Sequence, residues 1–144
     1  MTELDTSTRA KRPEFRNIHA LSDLPGYRLP LAGLVSILHR ISGAIMFLLL
    51  PFIIWMFDMS VSSEISFARF AGAFEGSGGW FLKLVALALI WAYLHHLIAG
   101  LRHLRMDISH AAVSKESGKR SAAITLVLSI GLTVILGAKL FGLY

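Results

Sequence analysis

The chain has 144 residues, of which 55% are hydrophobic and only 16% charged, and its mean hydropathy is +0.64. A soluble domain carries about 25% charged residues, so soluble, disordered and collagenous classes are excluded. Cysteine is absent, which removes disulfides, thiolate zinc, iron–sulfur ligation and haem attached through C-x-x-C-H. The formal charge of +5 comes from 14 Lys and Arg against 9 Asp and Glu, and in a membrane protein its location matters more than its size.

Residues 1–30 are polar and hold Arg9, Lys11, Arg12, Arg16 and Arg28 together with Glu3, Asp5, Glu14 and Asp23. With no apolar h-region and with this many acids, the segment fits neither a signal peptide nor a transit peptide. It is expected to be a cytoplasmic N-terminal segment. The first apolar window runs from Leu31 to Phe57, with Arg40 as its one full charge before the end and Pro51 as an expected kink. A connector of roughly 58–79 follows, carrying Asp58, Glu64, Arg69 and Glu75 and closing on a Gly76–Gly79 turn. The second window is Trp80 to Leu101, and the next connector holds Arg102, Arg105, Lys115, Lys119 and Arg120. The third window, Ser121 to Ala138, has no ionisable residue and is followed by Lys139, with Phe141 and Tyr144 as interfacial anchors. All three windows are apolar around the whole circumference, unlike the amphipathic helices of a soluble bundle. The expectation is therefore an all-α membrane protein in which residues 31–144 form three transmembrane helices, up-down-up.

Positive charge concentrates before the first window and after the second. By the positive-inside rule the N-terminus is then cytoplasmic and the C-terminus periplasmic, in a bacterial inner membrane. Topology accounts for the net charge, so no nucleic-acid partner is called for.

Ionisable groups within a bilayer cost several kcal/mol unless paired or facing a polar cavity, which makes the few present here candidates for function. On the first span Ser36, His39, Arg40 and Gly43 fall at i, i+3, i+4 and i+7; on the second His96, Gly100 and His103 fall at i, i+4 and i+7. Arg40 lies roughly 13 Å past the first entry and His96 roughly 9 Å before the second exit, so in antiparallel helices they share a depth. Imidazole beside a glycine gap, facing His and Arg on a neighbouring helix, suits a b-type haem, with cations near the propionates. The chain offers no obvious second axial histidine, so a partner would supply it. The blander alternatives are hydrogen-bonded interfacial histidines at His95 and His96, an Arg40 that snorkels to the headgroups, and Ser36 and Ser42 bonded back to the preceding turn. His19 and His110 lie outside the windows and are expected to be solvated.

These residues resemble a known family, the cytochrome b (b556-type) membrane-anchor subunit of succinate dehydrogenase, or succinate:quinone oxidoreductase. Its Arg-Pro pair followed by S-x-x-H-R-x-[ST]-G is matched by Arg12-Pro13 and Ser36 to Gly43. Its H-x-x-x-G-x-R-H-x-x-x-D is matched by His96 to Asp107. The resemblance implies that His96 is an axial ligand of haem b, with the second ligand on a companion anchor subunit. It implies that Ser36 and Arg40 line a ubiquinone site, and that His39, Arg40 and His103 lie near the haem. The implied partners are a second membrane anchor, an iron–sulfur subunit and a flavoprotein subunit, which together oxidise succinate and pass electrons to ubiquinone. The succinate-oxidising site is then in another chain, since this one has neither a flavin fingerprint nor cysteine. Three departures stand out: a longer linker after Arg12-Pro13, Glu14 in place of an apolar residue, and an extra His95 that offers a second imidazole next to His96. A haem-free structural anchor is the competing reading. A small ion or proton carrier is disfavoured by the lack of acidic residues within the spans.

Overall fold

The computed structural model describes His19, Ser22, Asp23 and residues 26–144, all of whose regular elements are helical. Most of the N-terminal cationic cluster, Arg12-Pro13 and Glu14 lie outside the described residues. Helix α1, Leu31–Leu48, starts at Pro30, whose extended backbone (φ −62°, ψ 150°) turns its carbonyl to accept from Gly33 and Leu34 at 2.8 and 3.1 Å. It stops at Leu49 because Pro51 has no N–H and its ring crowds the carbonyl four residues back. Helix α2, Leu50–Val61, resumes at once with Pro51 in its first turn, where a missing donor costs nothing. The expected kink is thus a break between two helices, and the helical path continues past the apolar window to Val61.

The connector expected between the first two spans contains a helix of its own. Helix α3, Glu64–Glu75, opens with a reciprocal capping box: Ser63 Oγ accepts from the Ser66 N–H at 3.1 Å and Ser66 Oγ from the Ser63 N–H at 3.0 Å. Phe67, Phe70 and Phe74 meet in series along it, the first pair tilted and the second edge to face, with centroids 6.2 and 5.2 Å apart. The signal was present in the sequence as Ser63-x-x-Ser66 followed by phenylalanines at helical spacing. The Gly76–Gly79 turn follows, and Gly79 is fully packed: a Cβ there would collide with the Phe74 carbonyl.

Helices α4, Gly79–Ile108, and α5, Lys115–Leu140, run beyond their apolar windows at the ends that meet. A short 3₁₀ turn at His110–Val113 joins them, and Ser114 Oγ caps α5 by accepting from Ser117 N–H at 3.3 Å. His19 and His110 are exposed, as expected. Helix α4 is central, packing against both α1 and α5. The pairs Leu87 with Gly137, His95 with Ser129 and Arg102 with Ser121 rise in number on α4 as they fall on α5, so the two helices are antiparallel. Gly43 with His96 and His39 with His103 show the same for α1 and α4. Up-down-up therefore holds.

The buried core is small and partly polar: Val35, Ala92, Ala99 and Ala122, with Ser42, His95, Arg102, Thr125 and Ser129. That is the chemistry of helix packing in lipid, where small side chains let backbones approach and hydroxyls bond across or back along a helix. Most of the large apolar side chains, such as Phe47, Trp55, Leu101 and Val127, are exposed to lipid or a partner. Helices α1, α4 and α5 each have the length and hydropathy of a membrane span, so this is a multi-pass membrane protein.

Candidate functional site

Successive residues on a helix point about 100° apart, so His95 and His96 serve different neighbours. His96 turns to α1. Its Nδ1 lies 3.0 Å from the backbone carbonyl of His39 and 3.3 Å from Ser42 Oγ, while Ser42 Oγ donates to the same carbonyl at 2.8 Å. A carbonyl oxygen only accepts, so Nδ1 carries the proton and the lone pair of the neutral ring is on Nε2. The ring fits because position 43 is glycine: a Cβ there would come within 2.9 Å of His96 Cε1 and 3.3 Å of Nδ1.

The His39 ring stacks on His96 with centroids 4.1 Å apart and planes 22° off parallel, and sits 5.1 Å from the ring of His103. Three histidines from two helices thus meet at one level. Gly100 faces the same ring: a Cβ there would lie 3.8 Å from His39 Nε2, in ordinary contact. His39 Nε2 is buried and has no hydrogen-bond partner among the described residues, which is uncommon for an enclosed polar atom. His96 and His103 are half-buried and Arg40 is exposed on the outside of the same turn. Ser36 is half-buried, one turn before Arg40.

His95 turns the other way. It is wholly buried, stacked at 5.4 Å on Trp91, with Nδ1 3.2 Å from Ser129 Oγ on α5. Ser129 Oγ donates to the Leu126 carbonyl at 3.3 Å, so it accepts from His95.

The structure therefore brings His39, His96, His103, Gly43 and Gly100 together, as the spacing anticipated, and leaves Arg40 facing outward. Ser42, expected merely to bond back along its own helix, does so and also touches His96. The third helix, apolar by composition, contributes polar contacts that sequence reasoning missed: Ser129 to His95 and Ser121 Oγ, which accepts from Arg102 Nε at 3.0 Å. The signal was the hydroxyl series Ser121, Thr125, Ser129 and Thr133 at four-residue spacing: all four bond back along α5, and Ser121 and Ser129 also reach α4.

The family model described as succinate dehydrogenase/fumarate reductase transmembrane subunit matches residues 13–136. The succinate dehydrogenase cytochrome b556 subunit of Coxiella burnetii is 34% identical over 115 residues, covering 80% of this chain and 90% of its own. The subunit of the same name from Paracoccus denitrificans is 34% identical over 112 residues, covering 76% and 83%. A succinate dehydrogenase cytochrome b560 subunit from Reclinomonas americana is 34% identical over 88 residues, covering 59% of this chain and 60% of its own.

Proposed function

The chain belongs to the succinate dehydrogenase/fumarate reductase transmembrane subunit family, and on that premise we propose that it binds haem b and helps to form a ubiquinone-reduction site. The observation that carries this reading is the hydrogen bond from His96 Nδ1 to the His39 carbonyl at 3.0 Å. A ligating histidine is held in one tautomer by just such a bond on its other nitrogen, which orients the ring and raises the basicity of the ligating atom. The buried His39 Nε2, without a partner among the described residues and stacked beside His96, also fits a bound group there.

In this reading His96 Nε2 would hold the iron, and the second membrane-anchor subunit would supply a further ligand. His39 and His103 would offer imidazole N–H groups to the propionates. When bound, haem b supplies a one-electron carrier within the membrane. The burial of His95 against Ser129 of α5 supports His96, not His95, as the ligand. Ser36 and Arg40 hold the quinone: a hydroxyl and a guanidinium both donate to a carbonyl oxygen, and the cation stabilises negative charge as it develops there. An exposed Arg40 suits a quinone that enters from the bilayer or from a subunit contact.

The succinate site is in a flavoprotein subunit, and an iron–sulfur subunit passes electrons from it to ubiquinone. The placement of Arg102, Arg105, Lys115, Lys119 and Arg120 at the α4–α5 end supports a cytoplasmic N-terminus and a periplasmic C-terminus in a bacterial inner membrane. The stacked histidines could also serve a haem-free structural anchor. Acid-acetone extraction of the purified assembly separates the two readings: one haem per chain is expected, and an assembly that is active with succinate and contains no haem refutes the proposal.

A further inference from the structure

Away from the histidines, the N-terminal end of α1, the last turns of α4 and the first turn of α5 line a half-open cavity of about 490 Å³. Its apolar wall is formed by Pro30, Leu31, Ala32, Met106 and Val113, and its polar side by Arg102, Lys115 and Lys119. We propose that this cavity binds an anionic phospholipid, with the headgroup phosphate against the three cations and an acyl chain along the apolar wall.

Arg102 is the strongest reason. It is only 8% exposed, and its one hydrogen bond among the described residues runs from Nε to Ser121 Oγ. The terminal amino groups of the guanidinium, which borders the cavity, have neither hydrogen-bond acceptor nor carboxylate among the described residues. A buried cation without a counter-charge is costly, and a phosphate is the planar fork's natural complement. Among the described residues no acidic side chain lines the cavity; Glu116, the nearest on α5, borders a different hollow with Arg105 and Arg120. Lys115 and Lys119 are exposed one turn apart, and Gly118 between them leaves open space where a side chain would otherwise project. The free N–H groups at the start of the 26-residue α5 add partial positive charge at the same place.

The apolar wall decides between a lipid and a soluble anion. Leu31 and Ala32 begin the first span and Met106 ends the second, so the cavity lies at the boundary of the hydrocarbon layer, where headgroup and chain part. Basic pockets between membrane helices at this level bind anionic headgroups, each surface cation contributing about fivefold in affinity.

Native mass spectrometry of the intact assembly, released from mild detergent and supplied in turn with phosphatidylglycerol, phosphatidylcholine or inorganic phosphate, tests the proposal. Arg102 also packs against Ser121, so the exposed pair Lys115→Gln/Lys119→Gln is the informative variant and Lys139→Gln, at the far end of α5, is the control. One tightly retained phosphatidylglycerol per chain is expected, held about 25-fold more weakly by the double variant and unchanged in the control. Equal retention of phosphatidylcholine, or displacement of the lipid by inorganic phosphate, overturns the proposal. So does phosphatidylglycerol binding that the double variant leaves intact, the result expected if a protein partner fills the cavity.

Discussion

Replacing Gly43 by alanine tests the packing that holds His96. The added Cβ would lie 2.9 Å from His96 Cε1 and 3.3 Å from Nδ1. Carbon atoms pack best at about 3.5–4.0 Å, so the ring has to retreat by about half an ångström or more. The direction of retreat is away from α1, which stretches the 3.0 Å bond from Nδ1 to the His39 carbonyl toward the limit of hydrogen bonding. Overpacking of this kind costs about 1–3 kcal/mol, and weakening the bond adds about 1 kcal/mol. The expected outcome is a lower thermal midpoint of the detergent-purified assembly and a reduced haem-to-protein ratio by pyridine haemochrome. Gly131→Ala, where nothing lies within 4 Å of the new atom, should leave both unchanged. Wild-type haem content and midpoint in Gly43→Ala would refute the claim that glycine makes room for a fixed imidazole.

His95→Ala should destabilise α4 against α5 by about 2–4 kcal/mol, because it empties a fully enclosed site and leaves Ser129 without its donor; chemical denaturation measures this, and the absorption spectrum of the fraction that assembles should match wild type. Arg40→Leu should lower succinate-driven ubiquinone reduction by about 100-fold, on the scale of losing a charged group that stabilises developing charge, while succinate oxidation with an artificial acceptor stays near wild type. Equal loss of both activities would remove Arg40 from the quinone site. Gly79→Ala should cost about 2–4 kcal/mol, since the new Cβ meets the Phe74 carbonyl and neither backbone can yield; Gly78→Ala, with open space around it, should be near neutral in the same thermal scan.

Much of this architecture is legible in the residues. Three apolar windows gave three spans because in lipid the backbone has to satisfy its own hydrogen bonds, which leaves few alternatives to a helix. The shared depth of His39 and His96 follows from counting residues from each end of antiparallel helices, and the glycines at 43 and 100 mark where those rings sit. What escaped a reading by hydropathy was the polar fine structure. Helix α3 is too charged to register as a span, and its capping serines carry the signal in place of apolarity. The division of labour between His95 and His96 is invisible in a His-His pair and appears only when Ser129 of α5 and the His39 carbonyl of α1 are seen to take one ring each. Arg102 reads as a topological charge at a helix exit, and only packing reveals that it is buried.

The central claim is that His96 Nε2, freed by the Nδ1 bond to the His39 carbonyl, holds iron. The most direct measurement is a reduced-minus-oxidised difference spectrum of the assembled His96→Ala variant, recorded before and after adding imidazole. Loss of the low-spin b-type α band and its partial return with imidazole are the predicted results. A wild-type band in the variant, with no response to imidazole, would contradict the account.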